Sequence, residues 1–196
     1  MERTRTAVFP YVICALFAAL TAVCSQIMVP LPFTPVPINL GLLAVWICGG
    51  LLGPKRGAIA ISVYILLGAV GVPVFAGFNA GLGALAGPTG GYIIGYLPSV
   101  ILFGLLVGRA EKAEQGRKTL KTFLLIIAMG LPAMAVCYAF GTAWFMITTG
   151  MGLVESLVMC VIPFVPGDAL KVVAAVVACE ALRKPLRLYL APRDSS

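Results

Sequence analysis

Apolar stretches separated by short polar or proline-containing breaks follow one another along almost the whole chain. A helix of about 20 apolar residues crosses the roughly 30 Å hydrocarbon core of a bilayer. The pattern therefore predicts an all-α integral membrane protein with six transmembrane helices in a single domain, residues 1–196. The predicted helices cover about 8–29, 38–53, 57–72, 91–108, 122–149 and 153–183.

Proline marks two of the breaks. Four prolines lie between positions 30 and 37, so this segment is predicted not to be a regular helix, because proline lacks the backbone N–H. Two more interrupt the last helix near 163–166. This region is either one kinked helix, or a short re-entrant or surface helix followed by a crossing from Pro166 to about 183. We favour the second, because proline suits the first helical position.

The composition indicates that lipid is the solvent of this chain. Hydrophobic residues make up 61% of it and charged residues 11%, and the mean hydropathy is +1.05. About a quarter of the residues of a soluble domain are charged. So few charges cannot cover a folded chain with a hydrated surface, and we expect a multi-pass protein of the cytoplasmic membrane.

The basic residues predict the orientation. The net charge is +7, and 13 of the 14 Lys and Arg residues fall on one side of the membrane if the chain crosses it six times. With five or seven crossings, these basic residues would be distributed over both sides. Basic loops face the cytoplasm, so both termini are predicted to lie inside. This bias accounts for the charge without a nucleic-acid partner. The 13 are Arg3, Arg5, Lys55, Arg56, Arg109, Lys112, Arg117, Lys118, Lys121, Arg183, Lys184, Arg187 and Arg193.

The remaining basic residue, Lys171, lies in an apolar stretch three residues after Asp168. Ionisable residues within a membrane cost about 2.5–3.5 kcal/mol each and rarely persist without a partner or a role. Residues three apart share a helix face, so the two can neutralise each other and point into one cavity. The pair is either a structural ion pair between helices or part of a ligand site, and we favour the ligand site.

The 73–90 segment is rich in glycine and has no charged residue. Glycine lets backbone approach a ligand closely, and the Asn79 amide offers both a donor and an acceptor. We therefore predict a lid or a pocket wall. The alternative is close helix packing through glycines recurring every four residues from 83 to 91, but Pro88 argues against one continuous helix there.

The sequence contains no pattern of residues that indicates a catalytic site or a metal site. The chain has no histidine, and its six cysteines lie in apolar runs without a CxxC pair. Neither a zinc site nor a Ser–His or Cys–His catalytic set is indicated. No nucleotide-binding glycine loop occurs either. We expect no enzyme activity, no metal and no cofactor, and another chain would have to hydrolyse ATP if transport is driven by it.

The first predicted helix carries alanines at four-residue spacing, Ala15 with Ala19 and Ala18 with Ala22. Such pairs of small residues allow close contact between helices. They are a candidate surface for docking a membrane partner.

Three segments together resemble the BioY family. They are 32–38, the stretch from 52–57 through 87–92, and Pro166-Gly167-Asp168 with Lys171. The resemblance covers nearly the whole chain. It implies a six-helix S component of an energy-coupling-factor (ECF) transporter that binds biotin. It also implies as partners a transmembrane coupling subunit, which the alanine face would dock, and two ABC-type ATPases.

Carried over residue by residue, the resemblance implies a biotin site at Asp168, Lys171 and Asn79. Asp168 can accept a hydrogen bond from a ureido N–H, and Asn79 can complete the hydrogen bonding of that ring. Lys171 either pairs with the biotin carboxylate or holds Asp168 ionised. The apolar part of the ligand can pack on Phe75, Tyr92 and the glycine loop with Gly77 and Gly81.

Two other functions compete with this interpretation. One is a self-sufficient secondary transporter, although no inverted repeat supports it. The other is an S component for a different small vitamin. The sequence leaves open whether the chain works alone, as a homo-oligomer or only with ECF partners.

Overall fold

The computed structural model describes the backbone of residues 2–113 and 120–190, and the side chains of 10–112 and 123–183. Helices dominate these ranges, in agreement with the predicted helical membrane protein. The elements in chain order are α1 (Glu2–Gln26), β1 (Met28–Leu31), β2 (Thr34–Asn39), α2 (Gly41–Ala69), a 3₁₀ turn (Ala76–Phe78), α3 (Gly81–Ala86), α4 (Gly90–Ala113), α5 (Leu120–Thr149), α6 (Leu153–Cys160) and α7 (Val165–Leu190).

The predicted helical fold class is confirmed, but α1 ends at Gln26 and a short β-hairpin follows where the first helix was predicted to continue to 29. β1 and β2 pair antiparallel, with Met28 opposite Asn39 and Leu31 opposite Thr34, and the register is irregular between positions 29 and 31. Proline is tolerated in edge strands and at irregularities, and both strands of a two-stranded sheet are edges. The proline-rich segment is therefore extended and ordered by its own partner strand.

The predicted second and third helices are the two arms of α2, 41–52 and 54–69, which fold back on each other at Gly53. That residue is non-helical, with φ 75°. A Cβ on Gly57 would lie 3.4 Å from the Gly49 Cα, whereas eight residues of continuous helix span about 12 Å. Gly104 of α4 fits against this turn, where a Cβ would come within 2.8 Å of the Pro54 nitrogen. The positive φ of Gly53 and the close approach at Gly104 thus both favour glycine at this turn.

Within the described residues, the helices run back and forth between the two ends of the bundle. α5 runs antiparallel to α4, and the Ser99 hydroxyl between them donates to the Ala133 carbonyl at 2.8 Å. α7 returns along the first arm of α2, where Arg183 donates to the Gly50 carbonyl at 3.1 Å. Arg183 also pairs with Glu111 of α4 and with Glu180. One end thus gathers the turn of α2, the end of α4 and the end of α7, all of which carry basic residues.

By length and composition alone, three apolar helical stretches within the described residues are candidates to cross a bilayer: Gly41–Ala69, which includes both arms of α2, Gly90–Lys112 and Phe123–Thr149. α6 and α7 form a further pair bent by 54°. The number of six crossings and the cytoplasmic orientation both stay predictions. Of the loop predicted at 109–121, residues 109–113 belong to α4, and 114–119 lie outside the described residues.

The two remaining irregular regions are partly helical. The break between α6 and α7 covers 161–164, slightly before the predicted 163–166, and Pro166 is the second residue of α7. The 73–90 segment, predicted as a loop, contains the 3₁₀ turn and α3. Its short elements lie beside α1, α2 and α4, which places the segment against the bundle end opposite Arg183.

Candidate functional site

A cavity of about 490 Å³ opens at the bundle end that carries the β-hairpin and the 73–90 segment. Small-molecule sites usually measure about 300–1,000 Å³. The hairpin forms one wall with residues between 28 and 39, the 73–90 segment forms a second, and helices α2 and α4 form the floor. The 73–90 segment is therefore a pocket wall, as predicted from its glycines and its lack of charge.

Aromatic rings line the floor and the 73–90 side of this cavity. The Tyr64 ring meets the Phe75 ring edge-on at 5.6 Å and lies over the Tyr96 ring at 6.4 Å. The Tyr64 hydroxyl is paired with the Ser25 hydroxyl at 3.1 Å, so its polar group is satisfied at the cavity edge. Tyr92 completes the aromatic lining. This surface suits a flat or aliphatic part of a ligand.

Asn79 reaches the same cavity from a tight turn. The backbone N–H of Phe75 donates to the Asn79 carbonyl at 3.1 Å, which closes the turn. The Asn79 Nδ2 donates to the Ala76 carbonyl at 2.7 Å. This leaves the side-chain oxygen as an acceptor. Gly77 and Gly81 do not line the cavity, but both have positive φ, 70° and 82°, so they shape the turn.

Asp168 and Lys171 lie in a second, smaller cavity of about 50 Å³. Asp168 is 4% exposed and Lys171 8% exposed. The Lys171 ammonium donates to Asp168 Oδ1 at 2.5 Å, and the Tyr138 hydroxyl of α5 donates to Asp168 Oδ2 at 2.6 Å. The predicted pairing along one face of the last helix is confirmed, and α5 supplies a partner that the sequence analysis did not name.

The two cavities share a wall. Both are lined by Val36, Pro37, Asn39, Tyr92 and Tyr96. Asn39 Oδ1 accepts from the Gly41 N–H at 2.8 Å and from the Tyr96 hydroxyl at 3.4 Å, which leaves the Asn39 amide N–H groups as donors. The Tyr92 hydroxyl donates to the Cys160 carbonyl at 3.0 Å, which ties this wall to α6. The ion pair therefore lies directly behind the aromatic wall of the large cavity.

Comparison with known proteins decides which family uses this arrangement. A protein-family model described as the BioY family matches residues 2–188. The chain belongs to the BioY family. It is 38% identical over 169 residues to the probable biotin transporter BioY of Pyrococcus horikoshii, covering 86% of this chain and 93% of that protein. It is 35% identical over 170 residues to the biotin transporter BioY of Thermotoga maritima, covering 86% and 92%.

The fold comparison agrees with the family. The crystal structure of the S-component for biotin from an ECF-type ABC transporter matches with a TM-score of 0.81 and 28% identity, over 95% of this chain and 98% of that chain. This BioY-family chain is therefore an integral membrane protein with the S-component fold.

The BioY-family chain exposes only part of the predicted alanine surface. Ala15 and Ala19 of α1 are exposed, whereas Ala18 is 2% exposed inside the bundle and Ala22 is half-buried. Ala15 and Ala19 thus lie on an outer face of α1. Ala18 packs against the chain's own core and is not available to a partner.

The structure adds four polar or aromatic residues to the site that the sequence analysis missed. They come from the hairpin and from three different helices, so no local motif unites them. The signal available in the sequence was weak: a tyrosine or asparagine in an apolar stretch must find a hydrogen-bond partner when buried. The four residues are Asn39, Tyr64, Tyr96 and Tyr138.

Proposed function

We propose that this chain binds biotin as the S component of an ECF-type transporter and supports its uptake across the cytoplasmic membrane. The named relatives are biotin transporters, and the matched crystal structure is an S-component for biotin. Its role is transport rather than catalysis. The division of the pocket into a small charged recess and a larger chamber with an aromatic lining is the observation that carries the proposal.

Biotin has a polar ureido ring with two N–H donors and one carbonyl, an apolar thiophane ring and an aliphatic chain that ends in a carboxylate. The two cavities offer acceptors at Asp168 and at Asn79 Oδ1, and donors at Lys171 and at the Asn39 amide. Two acceptors and two donors match the ligand's own polar groups. Phe75 and Tyr92 line the large cavity and would contact the apolar thiophane ring and the aliphatic chain.

Asp168 is the proposed acceptor for a ureido N–H. Lys171 and Tyr138 each occupy one of its oxygens, and a carboxylate oxygen has a second lone pair for the ligand. Asn79 lines the other cavity, so its oxygen would meet the ligand from a different wall. Gly77 and Gly81 contribute through the shape of the turn.

Partners are the second part of the proposal. An S component has to meet a transmembrane coupling subunit, and the exposed small side chains of Ala15 and Ala19 offer a close-packing surface on α1. Two ABC-type ATPases would supply the energy, since this chain has no nucleotide-binding loop.

Binding and uptake test the two parts separately. The purified chain should bind biotin in calorimetry, and excess unlabelled biotin should displace labelled biotin whereas riboflavin or thiamine should not. Failure of biotin to bind the folded chain would refute the proposal. In cells, uptake should depend on co-expressed ATPase and coupling subunits; full uptake without them would favour a self-sufficient transporter.

A further inference from the structure

Gln26, the last residue of α1, is hydrogen-bonded to the turn that carries two of the proposed ligand contacts. Its Nε2 donates to the backbone carbonyls of Val74 at 3.1 Å and Phe75 at 3.0 Å. Its Oε1 accepts from the Phe78 N–H at 2.9 Å. One side chain therefore binds both limbs of a short segment, residues 74–79, which we call the 74–79 turn.

The 74–79 turn needs such support because its backbone is strained. Phe78 has φ 58°, and it is the only residue other than glycine with positive φ within the described residues. It follows Gly77, whose φ is 70°. Side chains with a Cβ rarely adopt this region. The Phe78 side chain is 71% exposed and gains little from packing, so the backbone bond to Gln26 offsets the strain.

The turn in this conformation directs its two ends towards the cavity. Phe75 is 2% exposed against Tyr64, and Asn79 lines the large cavity after the backbone reverses. We infer that Gln26 is a positioning residue for substrate binding: it holds the 74–79 turn so that Phe75 and Asn79 face the ligand. The inference rests on the proposed binding of biotin by this cavity.

Gln26→Leu is the direct test, because leucine keeps a similar size and removes the hydrogen bonds. We expect the Kd for biotin to rise about tenfold, in line with the loss of neutral hydrogen bonds that order a binding turn. Hydrogen–deuterium exchange should accelerate in the peptide covering the 74–79 turn and not in α4 or α7. Thr149→Val is the matched control, since it removes a side-chain-to-backbone bond at the end of α5, outside the cavity.

Gln26→Glu gives a readout that a general loss of stability does not produce. An ionised carboxylate still accepts from the Phe78 N–H but faces the carbonyl oxygens of Val74 and Phe75. Protonation turns one oxygen into a donor. The affinity of Gln26→Glu relative to Gln26→Leu should therefore improve as the pH falls. Taking this ratio cancels the titration of the ligand and every other pH effect that the two variants share.

The outcomes separate the inference from the proposed function. Wild-type biotin affinity and unchanged exchange of the turn in Gln26→Leu would overturn the inference. A pH-independent affinity ratio between Gln26→Glu and Gln26→Leu would also count against it. If Gln26→Leu folds poorly, the affinity of Gln26→Glu relative to wild type provides the same pH test. Absence of biotin binding by the wild-type chain would instead refute the proposed function.

Discussion

Replacement of Asp168 by asparagine isolates the charge at the proposed ureido contact. Asparagine keeps the shape of the side chain and one oxygen, which can still face the Lys171 ammonium. The Nδ2 of the asparagine then takes the place of the oxygen that accepts from Tyr138. The Tyr138 hydroxyl must therefore donate to a different acceptor. The variant therefore removes the negative charge and one strong acceptor, with little change in volume.

The expected loss follows from the energy of a charge-assisted hydrogen bond. A hydrogen bond to a charged group contributes about 1.5–3 kcal/mol, and 1.4 kcal/mol is tenfold in affinity. The Kd for biotin should rise about ten- to a hundredfold. Folding needs a separate measurement, because removal of one partner of a buried ion pair costs about 3–5 kcal/mol.

Titration calorimetry on detergent-purified protein measures the affinity, and size-exclusion chromatography with thermal unfolding measures the fold. The double variant Asp168→Asn with Lys171→Met is the control, since it leaves no unpaired buried cation. It should fold better than Asp168→Asn alone and still bind biotin weakly. Wild-type affinity in a folded Asp168→Asn protein would remove Asp168 from the site and leave a structural ion pair as its role.

Three further predictions concern the neighbours of Asp168, the partner and the topology. Lys171→Met should weaken biotin more than biocytin, whose carboxylate is masked as an amide, if the lysine binds the carboxylate; equal losses would show that it supports Asp168, and no loss for either would exclude both roles. Ala15→Trp or Ala19→Trp should reduce uptake in cells and leave calorimetric biotin binding intact, because both alanines lie on the outer face of α1; lost binding would mean that this face shapes the pocket. A cysteine introduced at Lys112 should resist impermeant reagents added to intact cells, and labelling from outside would overturn the orientation.

The local chemistry of the chain predicted a mostly helical membrane protein and several of its helix breaks. Breaks at Gly53-Pro54 and near Pro163 depend on backbone properties of the residues themselves, so they could be read without tertiary information. The spacing of Asp168 and Lys171 also predicted their contact, because residues three apart share a helix face. The β-hairpin was not predicted. Prolines in a short segment exclude a regular helix, but they do not indicate whether the segment forms a strand or which strand it pairs with.

The sequence by itself thus determined the membrane environment, the approximate helices and the pairing of Asp168 with Lys171. This pairing could be predicted because an ionised side chain in the membrane is costly without a partner. The tertiary structure decided which side chains meet that pair. Tyr138 reaches Asp168 from 30 positions away, and Gln26 reaches the 74–79 turn from about 50 positions away. Such contacts depend on how the helices pack, and a lone tyrosine or glutamine in an apolar stretch carries no periodic signal of its partner. The pocket exists only where the hairpin, the 73–90 segment and the helices are brought together, because each contributes one wall.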